Sequence, residues 1–511
     1  MGSYQRGSTT FLAALTASMV GCGGGGGSPA ASSGPPAPPT APGMPIVYLA
    51  QDAAGVLELY YVDSGTPGVS RKVNAPLVDG GTVFSFGLSP DLQHVVYTAF
   101  QDSAMALELY VVDLATPGMS TRLNSPPVDD SDVRYFRFSP DGTRVVYIAD
   151  QEKASRNELY LVSLAEPGVS TKLNSSLPVG GNVASAIFSP DGSQVLYLAD
   201  QQLDERFELF LVELAQPGVS AVVNGPIVAG GGVAPLADDI FPFGSGFGFS
   251  PDGENIVYIA DQDEDEVREL HSVAVDEPGT SSKLSDTLVA NGDVLDFAFS
   301  PDSTRVAYCA DQGLDERPEL YLVDIEVPGV SFRLNPELAA GREVSSRNWS
   351  FDPGGTFIVY RADQDADDVF ELYRVETASP GASMKLSGPM APGGQVLELL
   401  FDEPTVQVGP DRLQVSYVAD QDSDEVYEVY SVDLATPGTS GKLNAPMTFS
   451  GASFLQITPD GRQVYYVAKQ NNDFLELYRA DISAPGASTT VNSALSGGNV
   501  TGFLVAPGVG E

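Results

Sequence analysis

Histidine, cysteine and tryptophan are nearly missing from these 511 residues: there are two His, two Cys and one Trp. Two histidines supply too few ligands for a His-based zinc site. Both, His94 and His271, fall at strand positions of a repeat rather than at the loop position a Ser-His-Asp triad needs. Of the cysteines, Cys22 lies in an N-terminal leader and Cys309 in the apolar run "RVAYCA", so no intramolecular disulfide is expected. Basic residues are also scarce. Lys and Arg total 26 against 68 Asp and Glu, a net charge of −42. That balance excludes nucleic acid as a partner, because phosphates must be met by cations, and it excludes direct binding to an anionic lipid surface. Long apolar runs are absent as well. The stretch Phe11–Val20, "FLAALTASMV", is too short to span a bilayer.

What stands at the N-terminus is a short segment with Arg6, that apolar run, and then Met19-Val20-Gly21-Cys22. A brief apolar run before small residues reads as a secretory signal. "MVGC" resembles a bacterial lipobox, and the resemblance implies a diacylglyceryl group on Cys22. The alternative is an ordinary cleaved signal with a chance cysteine. Residues after Cys22, "GGGGGSPAASSGPPAPPTAPG", combine flexible Gly/Ser with extended Pro and read as a tether. The expected organisation is therefore a signal peptide over 1–21, a tether over 22–43 and one folded domain over 44–511. Gly23 in place of Asp suggests the outer membrane in an enteric-like sorting system, so the expected location is exported and lipid-anchored in the cell envelope, on the outer membrane or periplasmic side.

The main fact is a repeat. Pro-Gly recurs at Pro67, Pro117, Pro167, Pro217, Pro278, Pro328, Pro380, Pro437 and Pro485, mostly at intervals near fifty. One unit, Phe138–Ile187, divides into short runs rich in Val, Tyr, Leu and Phe, separated by turn signals. Ser-Pro-Asp-Gly fits a type I turn. Turns this closely spaced leave no room for helices. Four antiparallel strands in about fifty residues, repeated, are the pattern of propeller blades.

The units "FSPDGSQVLYLADQQLDERFELFLVEL" and "FSPDSTRVAYCADQGLDERPELYLVDI" resemble the TolB-like propeller repeat, a WD-like blade, over essentially all of 44–511. The resemblance implies the fold and not a function, since such propellers serve as envelope scaffolds and as appendages of prolyl peptidases. TolB itself carries an α/β domain before its propeller. No room for one is expected here, so a direct role in a Tol system is not expected. The "ELY" strand occurs nine times, at Glu58, Glu108, Glu158, Glu208, Glu269, Glu319, Glu371, Glu428 and Glu476, as "ELF" at Glu208, as "EVY" at Glu428, and with His271 replacing the tyrosine at Glu269. The first unit lacks its Phe-x-Phe-Ser-Pro-Asp strand, and "GGNVTGFLVAPGVGE" at the C-terminus supplies one. The expectation is an all-β, single β-propeller of nine four-stranded blades, closed by the C-terminal strand joining the first blade and leaving no open sheet edge. Two smaller propellers or an open array are the alternative.

Between the second and third strands of each unit lies an acidic loop, "ADQDEDEVREL" at Ala260–Leu270 in its richest form. Alternating Asp261, Asp263 and Asp265 resemble the start of a calcium loop, but the glycine of its sharp bend is missing. The Asp-Gln pair is therefore expected to satisfy backbone groups of its own hairpin. A later pair of acids recurs only in the middle units, at Asp204/Glu205, Asp265/Glu266, Asp315/Glu316, Asp367/Asp368 and Asp424/Glu425. Hairpin geometry alone does not call for them. Asp261, Asp265, Asp315, Asp367 and Asp424 are accordingly candidate cation contacts, with calcium as the candidate ion. The largest insertion, Val233–Phe249, carries Asp238, Asp239, Phe241 and Phe243 as a candidate binding loop on the same face. A second insertion, Asp402–Arg412, is expected to replace the Ser-Pro-Asp turn on the opposite face.

Catalytic signals are few. "GSGFG" at Gly244–Gly248 has neither the spacing of a nucleophile elbow nor a following helix. The favoured reading is a non-catalytic, monomeric envelope lipoprotein that binds a protein or peptide, touching the bilayer only through its lipid. The alternatives are a calcium- or glycan-binding envelope protein and a carboxylate-based carbohydrate-active enzyme.

Overall fold

The computed structural model describes residues 43–126, 131–233, 246–398, 406–411, 413–447, 451–471, 473–495 and 497–505. Among them there is no helix, and nine four-stranded antiparallel sheets form a ring. The third blade shows the local logic. Val133–Phe138, Arg144–Ala149, Glu158–Ser163 and Ser170–Lys172 pair in chain order. Between the first two strands, Gly142 N–H donates to the Ser139 carbonyl at 2.9 Å, closing the expected type I turn. Gly142 then sits at φ 70°, where a side chain is disfavoured.

Each second strand is buried on both faces rather than alternately, because a blade is covered by a neighbour on either side. The apolar cores accordingly lie between blades. Val146, Ile148 and Leu159 of the third blade pack with Val183, Val195 and Tyr197 of the fourth. Nine such clusters join nine neighbouring pairs, and the ninth brings Tyr465, Val467 and Leu477 against Ile46, Tyr48 and Val62 of the first blade. The ring is closed by strands from opposite ends of the chain: Val500–Val505 pairs antiparallel with Pro45–Gln51, with Phe503 opposite Tyr48. Chain end and chain start thus share one sheet, as the missing first strand suggested.

A side-chain frame repeats from blade to blade. A tyrosine of the second strand stacks on an aromatic ring of the third, at 5.4 Å between centroids for Tyr147 and Tyr160. The Tyr147 hydroxyl donates to Gln151 Oε1 at 2.8 Å, so the persistent loop glutamine is held from within its hairpin. At the start of the third strand the buried Glu158 accepts from the Tyr160 hydroxyl and pairs with Lys172 at 3.0 Å. Buried carboxylates are costly unless paired, and here the neighbouring strand supplies the cation. Cys309 is fully buried and free, and burial pushes its thiol well up, as befits a small core residue. Trp349 is only partly buried, packed against the cluster between the sixth and seventh blades.

Candidate functional site

The acidic hairpins and the links that enter each blade share one face of the ring. Asp261 joins them: its Oδ1 accepts the backbone N–H of Gly232 at 2.6 Å, and its Oδ2 accepts the N–H of Glu266. The same pair of accepted hydrogen bonds recurs at Asp150 (from Asp132 and Ser155), Asp200 (Asn182 and Glu205), Asp311 (Asp293 and Glu316), Asp363 (Glu343 and Asp368) and Asp420 (Gln395 and Glu425). The first Asp of the loop is therefore committed to backbone donors on both sides.

The later acids also have local roles, which sequence reasoning missed. Glu205, Glu266, Glu316, Asp368 and Glu425 all sit at φ between 58° and 64°, the left-handed residue that turns the hairpin. The preceding acid lies against the incoming link. A Cβ built on Gly230 would come within 2.5 Å of Asp265 Oδ2, and one on Gly180 within 2.4 Å of Asp204 Oδ1. Asp424 lies likewise beside Gly393, Asp367 beside Gly341, and Asp315 accepts from Asn291 Nδ2 at 3.3 Å. Asp261 and Asp265 share the hairpin of the fifth blade, while Asp315, Asp367 and Asp424 each belong to a different blade. The structure does not gather them into a common cluster among the described residues. Asp263 does something different again, facing Lys283 at 3.7 Å.

Insertions enter at a shared point. In the fourth blade Val183 faces Ala199 and Ser185 faces Leu198, leaving one bulged residue in the innermost strand. In the fifth blade Val233 faces Ala260, and pairing resumes with Gly246 O accepting from Ile259 N–H at 2.7 Å. Residues 234–245, which include Asp238, Asp239, Phe241 and Phe243, lie outside the described residues, as does Cys22. The described residues on either side, Val233 and Gly246, correspond to Val183 and Ser185, which flank the bulged residue of the fourth blade. The seventh blade extends the same bulge, from Val344 opposite Ala362 to Trp349 opposite Tyr360. The eighth does so between Val396, opposite Ala419, and Val406, opposite Tyr417. This corrects the reading of Asp402–Arg412. Val406–Val408 is the innermost strand itself, and Gly409-Pro410-Asp411 stands where Ser-Pro-Asp stands elsewhere, with Gly409 N–H donating to Gln414 O. The extra residues of that blade precede the strand in the chain rather than replacing its turn.

The link into the eighth blade is braced by a buried cation. Arg361 replaces an apolar strand residue, donates from Nε to Val396 O at 2.9 Å, and lies 3.9 Å over the Phe370 ring. Burial lowers its guanidinium to about 10, while Glu398 and Glu343 oppose that shift. Glu343 is itself raised, chiefly by desolvation and then by Asp363 and Glu398. The inner rim here is thus polar, crowded with carboxylates around one arginine.

No protein-family model matches the chain, and no curated protein matches it. Solved structures do. Dipeptidyl peptidase 4 of Porphyromonas gingivalis aligns with TM-score 0.54 at 15% identity, over 80% of this chain and 60% of that one. A eukaryotic initiation factor aligns with TM-score 0.54 at 11% identity, over 92% of this chain and 99% of the other. TolB from Acinetobacter baumannii aligns with TM-score 0.30 at 18% identity, over 55% and 61%. The chain spans about half the length of the prolyl oligopeptidase and prolyl endopeptidase structures it matches, 51% and 50%. At such identities the first two likenesses establish a β-propeller and nothing about its activity.

Proposed function

We propose that this chain is a non-catalytic binding scaffold of the cell envelope, exported, tethered through a lipid on Cys22, and engaging a protein or peptide partner on its hairpin face. The observation that carries this is the common entry point of its insertions. Three blades lengthen the same bulge at the same end of the innermost strands, while the frame around them repeats with little change. Variable segments on a rigid scaffold are where binding residues concentrate. The insertion bearing Asp238, Asp239, Phe241 and Phe243 is the longest, and its aromatics suit a central anchor with an acidic rim. The lipobox-like "MVGC" and the Gly/Ser/Pro tether support the anchored placement.

The test compares the intact chain with one in which residues 234–245 are replaced by a single residue, as at the bulge of the fourth blade. Saturable binding to envelope-derived peptides, lost with the insertion while the melting temperature holds, is the expected result. Equal binding by both forms would reject the assigned face. Metabolic labelling with a fatty-acid analogue, abolished by Cys22→Ala, tests the anchor.

A further inference from the structure

The fifth blade breaks the repeated frame at one position. The fourth blade carries Phe210 there; in the other seven the third-strand tyrosine extends its hydroxyl to the glutamate at the strand's start, as Tyr110 does to Glu108 at 3.0 Å and Tyr373 to Glu371 at 3.2 Å. In those two blades the phenol also reaches the loop carboxylate, Asp102 or Asp365, so its oxygen lies between two acids. The fifth blade has the same two acids, Glu269 and Asp263, but His271 in place of the tyrosine. The ring keeps its stack on Tyr258, at 5.4 Å and 18°. An imidazole is shorter than a phenol by the length of its oxygen arm, so its tip stops short. His271 Nε2 and Glu269 Oε2 are both buried without a hydrogen-bond partner, in residues only 1% and 6% exposed. One nitrogen of His271 and one oxygen each of Asp263 and Glu269 lie within 4.8 Å of one another.

We propose that Asp263, Glu269 and His271 bind one divalent transition-metal ion of the zinc class, seated where the sibling blades place a phenol oxygen. One imidazole and two carboxylates form a donor set that suits zinc and its neighbours better than calcium, which prefers an all-oxygen shell. Three protein ligands beside an exposed aspartate leave a position open to water. Burial lowers the His271 imidazole to about 4, so at neutral pH it carries a free lone pair rather than a proton. Gln262 lies 3.5 Å from Nδ1. Its Oε1 accepts from the Tyr258 hydroxyl at 2.6 Å and its Nε2 donates to Ser281 Oγ at 2.9 Å, so the amide is fixed against the Nδ1 edge and leaves the imidazole Nε2 as the nitrogen without a partner. Lys283, 2.7 Å from Glu269 Oε1, is the competing cation, and it leaves Oε2 unclaimed.

The test is titration of the metal-stripped full chain with Zn2+ in excess Ca2+, which occupies general carboxylate sites, alongside Co2+ absorption spectra. One zinc per chain is expected, weakened at least about tenfold by His271→Tyr and by Asp263→Asn. His94→Gln should leave it unchanged, and Lys283→Gln should tighten it. His271→Tyr restores the residue of the sibling blades and is expected to fold; Asp263→Asn changes an exposed position and serves as the second variant. Absence of zinc binding above the calcium background, or zinc binding indifferent to both variants, would overturn the proposal and leave a water in the gap.

Discussion

Asp420 holds two backbone N–H groups at once, that of Gln395 in the link entering its blade and that of Glu425 at its hairpin tip, at 2.5 and 2.9 Å. A carboxylate engaged on both sides serves as a brace between two loops. Removing it strands two donors in a partly buried place. Asp420→Ala is expected to cost about 1–3 kcal/mol in chemical denaturation, with Asp420→Asn in between because it keeps one good acceptor. An alanine variant as stable as the parent would contradict the bracing role.

The later acids stay exposed, yet several lie against a glycine of the incoming link. Gly180 has φ +94° and no room for a Cβ beside Asp204. Gly180→Ala should destabilise by roughly 1–2 kcal/mol from backbone conformation alone, with the steric clash added. In a double-mutant cycle with Asp204→Ala the clash should vanish while the conformational cost remains. Additive effects of the two changes would mean the contact carries no energy.

Calcium provides a further check. Because Asp261 is committed to two backbone donors, and Asp265, Asp315, Asp367 and Asp424 lie in four separate hairpins, calcium is expected to raise the melting temperature no more than magnesium at equal ionic strength. A calcium-specific rise, lost in Asp265→Asn, would instead make these residues ligands.

Glu343 supplies a pH dependence of known sign. Burial and neighbouring acids raise its carboxyl in the folded protein, so folding favours the protonated form. Stability from this group is present below the unfolded carboxylate value and is lost as pH rises through the raised folded value. Glu343→Gln should therefore raise the melting temperature at neutral pH, and the gain should fade in acid. A gain that persists unchanged at low pH would contradict this.

Much of the architecture was legible because it is written in local, repeated chemistry. Ser139, Gly142 and the Tyr-rich strands announce their turn and pairing within a few residues, and the unpaired first unit points to Val500–Val505 as its partner. The Asp-Gln pair was legible for the same reason, since glutamine persists where the aspartate does not. What escaped depends on contacts between segments far apart in sequence. The glycine of each link and the later acid of each hairpin were both visible, but only the fold shows Gly230 beside Asp265. The eighth innermost strand escaped because Val406–Val408 is brief and its turn uses Gly409 where other blades use serine. His271 was recognised as a replaced tyrosine, but the gap it leaves needs the positions of Glu269 and Asp263.

The most direct test of the binding account is site-specific photo-crosslinking in cells. A crosslinker at Phe243, in the largest insertion, is compared with one at Ser193, beside a Ser-Pro-Asp-Gly turn. The account predicts a discrete crosslinked partner from Phe243, lost with Phe241→Ala, and none from Ser193. Equal products from both positions, or a partner captured only at Ser193, would contradict it.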